Sequence, residues 1–168
     1  MPHPLVDQFR FTRREWLRGL EGVTEEQAAR HFGQMNSISW IVGHLAWHEQ
    51  RTWLTRAQGI ILFPELNTTQ AVGAPMSTPS YAEMMSIWRR VTEANDPFLE
   101  KLDTPALLED HPLDGNPSGQ TRGDALRRIT YHYWYHTGEI LAIRQLIGGK
   151  DLPEYVGDLE SEAPYRPE

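Results

Sequence analysis

The chain of 168 residues carries 16 basic and 23 acidic side chains, a net charge of −7, which offers no attraction to a nucleic-acid backbone or an anionic membrane. It contains no cysteine, so disulfides, thiolate metal sites and a cysteine nucleophile are excluded, and any protein metal ligand must be His, Asp, Glu or main chain. Six Trp, six Tyr and five Phe give bulk for one sizeable core.

The N-terminal MPHPLVDQF has neither a charged leader region nor a long apolar run, and no segment reaches membrane-spanning length. A soluble cytoplasmic protein acting on a small molecule is the expectation, with no nucleic-acid or membrane partner. Pro4 to Leu20 reads as a first helix. Leu5, Phe9, Trp16 and Leu20 form its apolar stripe, and Arg10, Arg13, Arg14 and Arg18 fall outside it. Gly22 is its stop. Thr24 with Gln27 is a capping box that opens a short helix closed by Gly33. Asn36 or Ser37 then caps a second long helix, from about Ile38 to Gln58, with Gly59 as its stop. Ile41, Leu45 and His48 share a face of it, with His44 alongside.

Ile60 to Pro79 has no periodicity and reads as a long crossover connection. Ser80 with Glu83 opens a third helix to about Leu102, with Tyr81, Met84, Met85, Trp88, Val91, Leu99 and Leu102 as candidate core. Pro97 should kink or break it. Thr104 to Glu109 suits one helical turn, and Asp110 to Gln120 is turn chemistry throughout. Thr121 with Asp124 caps a fourth long helix that ends at Gly148-Gly149. Four long helices without strand-like alternation indicate an all-α fold, a four-helix bundle over residues 1–149. Residues 150–168 form an acidic, proline-containing tail, expected either to wrap the bundle through Leu152, Tyr155 and Leu159 or to stay mobile.

The fourth helix carries an anomaly. Ala125, Ile129, His132, His136, Ile140, Ile143 and Ile147 lie at the three-and-four spacing of a buried stripe, and two of them are histidines one turn apart. A buried imidazole without a partner costs free energy that isoleucine does not. The i, i+4 spacing aims both rings at one point, as metal coordination requires. The second helix carries its own pair, His44 and His48, in GHLAWHE. Three imidazoles drawn from two such helices make a metal site with an open fourth position, the layout of a catalytic centre. Imidazole-only ligation suits Zn, Ni, Fe or Co. Packed core histidines bonded to Tyr131, Tyr133 or Tyr135 are the alternative. Glu49 and Glu139 are candidate acceptors for the rings' other N–H groups. His3, His31 and His111 lie near a terminus or in turn-like sequence and are expected at the surface.

SISWIVGHLAWHE, Ser37 to Glu49, resembles the helix-two motif of the DinB-like superfamily, with Gly-His-Leu and a Glu five residues after the His. YHYWYHTGEILAIRQLIGG, Tyr131 to Gly149, resembles its helix-four motif, and LEGVTEEQ follows the first helix as in that family. The resemblance spans residues 5–149. It implies a four-helix bundle of the DinB and YfiT-like kind, often a homodimer, with a divalent metal (Zn, Ni or Fe) on His44, His132 and His136. His48 lies outside that triad and is left as an outer-sphere partner, a general base or a core residue.

The resemblance further implies a metal-dependent enzyme, first of all a thiol-dependent S-transferase acting on a small electrophile with a low-molecular-weight thiol such as mycothiol or bacillithiol. A metal-dependent hydrolase on the same site and a non-catalytic, stress-related helical module are the alternatives. Arg51, Arg56 and Arg122 are candidate contacts for an anionic thiol. The Ile60–Pro79 and Asp110–Gln120 loops, and the acidic tail, are candidates to frame or cap the pocket.

Overall fold

The computed structural model describes residues 2–154 and 156–167. Its elements are α1 (Pro4–Leu20), α2 (Glu25–Ala28), α3 (Ile38–Glu49), a π-helical segment (Gln50–Arg56), α4 (Leu66–Thr69), α5 (Tyr81–Leu99), α6 (Thr104–Leu108), α7 (Arg122–Leu146) and α8 (Leu159–Glu162). Among the described residues there is no strand, only two isolated bridges in the 110–121 turn region. The fold is all-α. No described helix is long and apolar enough to cross a membrane. The chain forms two compact units, Met1–Glu21 with Pro97–Glu168, and Gly22–Asp96.

In the first unit α1 packs on α7. Tyr133, fully buried, meets the rings of Phe9 and Trp16 edge-on, at 5.8 and 5.6 Å between centroids. Edge-to-face geometry sets the positive ring edge against a negative face, which favours one rotational setting of α7 over others. Arg144 ties the far end of α7 to the Gly19 carbonyl at 2.6 Å. Thr121 and Asp124 make the expected reciprocal capping box at the start of α7. Arg13 departs from the expectation of an outer face. It is buried, with its guanidinium 4.5 Å from the centre of the Phe9 ring, where cation–π attraction and the aliphatic stem offset its desolvation.

The tail is held to α1 by polar contacts. Glu15 accepts from the Gly157 amide at 2.8 Å, Arg18 donates to the Glu154 carbonyl at 2.7 Å, Arg14 pairs with Glu162 and Arg166 with Asp7. This differs from the expected apolar wrapping. Leu152 is half-buried and Leu159 is exposed, while Ala163 is buried; Tyr155 lies outside the described residues.

In the second unit α3 is buried at every position except His48. Ser37 is its cap, accepting from the Trp40 amide. The Thr24–Gln27 capping box forms, but α2 stops at Ala28 rather than Gly33. The Glu25 carboxylate reaches the start of α5, accepting from the Tyr81 and Ala82 amides at 2.6 and 3.1 Å. These N–H groups have no intrahelical partner, and a carboxylate there also suits the helix dipole.

The second long helix is not α-helical to Gln58. After Glu49 it widens into the π segment, because Gln50, itself buried, is held by the following loop. Its side-chain oxygen accepts from the Leu62 and Phe63 amides at 2.9 and 2.8 Å, and its amide donates to the Phe63 carbonyl at 3.0 Å. The Ile60–Pro79 connection is thus pinned, and it contains the single turn α4. At the other end of the unit, α5 carries Pro97 two residues before its last residue Leu99, so the proline marks the end of the helix rather than a mid-helix kink.

Candidate metal centre

Each candidate half-site can be built from its own unit. On α7, His136 is buried and His132 half-buried, one turn apart. His136 Nδ1 lies 2.8 Å from Glu139 Oε2. An ionised carboxylate can only accept, so Nδ1 carries the proton and the ring lone pair sits on Nε2. That Nε2 accepts from His132 Nε2 at 3.0 Å, a proton standing where an ion would, with the rings inclined at 69°. Two imidazole ligands bound at 2.0–2.1 Å in a tetrahedron place their nitrogens about 3.3 Å apart. The pair therefore stands within a few tenths of an ångström of metal-binding geometry.

On α3, His44 is 4 % exposed. Its Nδ1 lies 2.7 Å from the main-chain carbonyl oxygen of Gln70. A carbonyl also only accepts, so Nδ1 again donates and Nε2 again bears the lone pair. Trp40 and Trp47, from the turns on either side, stack on the ring at 4.9 and 5.3 Å between centroids. Trp47 is itself anchored by its indole N–H to Asn67 Oδ1 at 3.0 Å. Stacking and the carbonyl together fix both the tilt and the tautomer of His44.

The remaining candidates have defined places. His48 is half-buried one turn on, with its ring 6.1 Å from that of Trp47. Glu49 is fully buried and accepts from Asn95 Nδ2 at 2.9 Å, and Glu139 meets the His136 imidazole. Tyr131 and Tyr135 are exposed and Tyr133 packs against α1. Arg51 lies over the Trp47 ring, and Arg122 pairs with Glu109. His3 caps α1 by accepting from the Leu5 amide, and His31 contacts the Met35 carbonyl. His111, expected at the surface, is fully buried, because the 110–121 turn folds over it.

Sequence reasoning missed Gln70. It holds His44 through a main-chain carbonyl, a contact that no residue type announces. The three rings fit a metal site by their donor chemistry. All are nitrogen ligands, and His44 and His136 carry the outer-sphere acceptor characteristic of metal-bound histidines.

A family model described as the DinB superfamily matches residues 8–140. No curated protein matches the chain.

Proposed function

The chain belongs to the DinB superfamily, and on that premise we propose that His44, His132 and His136 together hold a divalent cation in a thiol-dependent S-transferase acting on a small electrophile. The observation that carries the reading is the preset tautomer of two buried imidazoles, each with Nδ1–H spent on an acceptor and the lone pair on Nε2. A core histidine needs one hydrogen bond of any kind. Here both rings make the one kind that readies the same nitrogen for coordination.

Three neutral imidazoles suit Zn, Ni or Fe, and three protein ligands are the catalytic rather than the structural number. When bound, the cation supplies a Lewis acid that holds the sulfur of a small thiol in its nucleophilic, anionic form. The protein's own part is positional. Glu139 and the Gln70 carbonyl orient the rings, and the Trp40 and Trp47 faces prevent His44 from turning away. The sequence contains no thiol of its own, so the sulfur comes from a cofactor such as mycothiol or bacillithiol.

The test pairs metal analysis with turnover. Protein stripped and reloaded with zinc is expected to hold about one ion per chain, and to consume an activated aryl halide only when bacillithiol, mycothiol or glutathione is added. Thiol-independent hydrolysis of esters or amides would replace the transferase reading with a hydrolase. Equal zinc content in wild type and His132→Ala would remove the site altogether.

A further inference from the structure

The Ile60–Pro79 connection is laid against α3 in register. Residues 63, 66, 67 and 70 fall at the three-and-four spacing of one helical face. The main chain around α4 supports that spacing, since the Leu66, Asn67 and Gln70 amides donate to the Phe63, Pro64 and Leu66 carbonyls. Phe63, Leu66 and Gln70 are buried, and Asn67 is exposed. Three polar rungs join this face to the helix: Phe63 with Gln50 at 2.8 Å, Asn67 with Trp47 at 3.0 Å, and Gln70 with His44 at 2.7 Å. Positions 50, 47 and 44 of the helix thus meet 63, 67 and 70 of the connection, an antiparallel order. Beside the last rung Gly43 permits the close approach, for a Cβ there would stand 2.9 Å from Gln70 Cδ.

The last rung grips His44 directly, and the middle rung acts on the same ring by another route. An indole N–H can only donate, so Asn67 turns its amide oxygen towards Trp47. The Trp47 indole in turn stacks on His44, 5.3 Å between centroids and inclined at 30°. The Gln70 carbonyl meets the imidazole at its edge, at Nδ1. A ring held at one edge alone can still swing about that hydrogen bond. Held on its face as well, it points Nε2 in one direction, the precision that a ligand needs from the groups around it.

The carbonyl survives every substitution at position 70, whereas the middle rung is a side chain and can be removed. We propose that Asn67 is a positioning residue of the candidate metal centre: its side-chain oxygen fixes the plane of Trp47 and, through that indole, the ring of His44. Its effect on zinc rests on the metal-centre reading above; the setting of the two rings does not.

The test uses the full chain in metal-free and zinc-loaded forms. In the metal-free protein the His44 ring protons lie beside indole faces and carry ring-current shifts that NMR reads. Asn67→Ala is expected to move both the Trp47 indole N–H and the His44 ring resonances. Asn67→Asp, which keeps an acceptor oxygen, should hold them near their wild-type positions. Competition with a chromogenic chelator should find zinc about tenfold weaker in Asn67→Ala, the lower end of what outer-sphere partners contribute, and within a factor of about three of wild type in Asn67→Asp. Trp47→Phe keeps a ring, loses the donor and should match Asn67→Ala. The double variant should lose no more than either single one, because both remove the same contact. Additive losses, an Asn67→Asp variant no better than Asn67→Ala, or His44 resonances that Asn67→Ala leaves in place would overturn the assignment. A wild-type chain that takes up no zinc would cancel the metal centre, and the metal-free spectra would still decide whether Asn67 sets the His44 ring.

Discussion

The two histidine-bearing helices are built on opposite plans. On α7 the ring of His136 is held by Glu139, three residues along the same helix. On α3 the ring of His44 is held by a carbonyl 26 residues away in a loop. The first arrangement is local and follows whenever the helix forms. The second exists only once the Ile60–Pro79 connection is in place, and Gln50 supplies the clamp for that through three hydrogen bonds to Leu62 and Phe63. One half-site thus depends on a side chain that mutation can remove, the other on a main-chain group that it cannot.

The sharpest way to break the pairing is to delete a ligand. His136→Ala or His44→Ala should lower zinc affinity by at least about a hundredfold, more than an outer-sphere change costs, as read by competition with a chromogenic chelator. A loss confined to the α7 variant would leave His44 outside the site. Next in size is Glu139→Gln, which withdraws the carboxylate from His136 and should cost about 10–100-fold in zinc affinity. Gln70→Leu provides the contrast. It keeps the carbonyl, and zinc affinity should stay within a factor of about three by the same assay. Equal losses in the two variants would erase the distinction between side-chain and main-chain support.

Stability should divide the same way. Asn95→Ala removes a donor from the fully buried Glu49 of α3 and should destabilise the protein by about 1–3 kcal/mol in urea unfolding. Thr137→Val on α7 removes only a bond to the Tyr133 carbonyl one turn back, and should cost less.

The smallest effect concerns the tail on α1. Burial pushes the Glu15 carboxyl up, but the Arg18 hydrogen bond, the Gly157 amide and the charges of Arg18 and Arg14 outweigh it, and the pKa is lowered. A group depressed in the folded state stabilises above its unfolded pKa, about 4.3, and the contribution disappears as pH falls through the folded value. The difference in thermal midpoint between wild type and Glu15→Gln should therefore be present at pH 6 and vanish towards pH 3. A difference that grew on acidification would contradict the sign.

The same division explains what the amino-acid sequence reveals. Period and caps depend on neighbours in the chain, so α1, α5, α6 and α7 could be read closely, and the Thr24 and Thr121 capping boxes formed as their spacing requires. Glu139 was a candidate for the same reason. The π segment was not legible, because its cause is Gln50 gripping residues 12 and 13 positions later. Neither was the Gln70 carbonyl, since a main-chain acceptor has no side-chain signature. His111 looked exposed because its neighbours are turn formers, yet the turn closes over it. Arg13 sits inside because an aromatic face can receive a guanidinium, which a hydrophobic stripe does not anticipate.

The most direct test of the account is a crystal of the zinc-loaded chain with diffraction recorded across the zinc absorption edge. We expect one anomalous peak per chain at about 2.0–2.1 Å from Nε2 of His44, His132 and His136. A peak bound to carboxylates elsewhere, or one that meets the α7 pair and leaves His44 outside the coordination sphere, would contradict it.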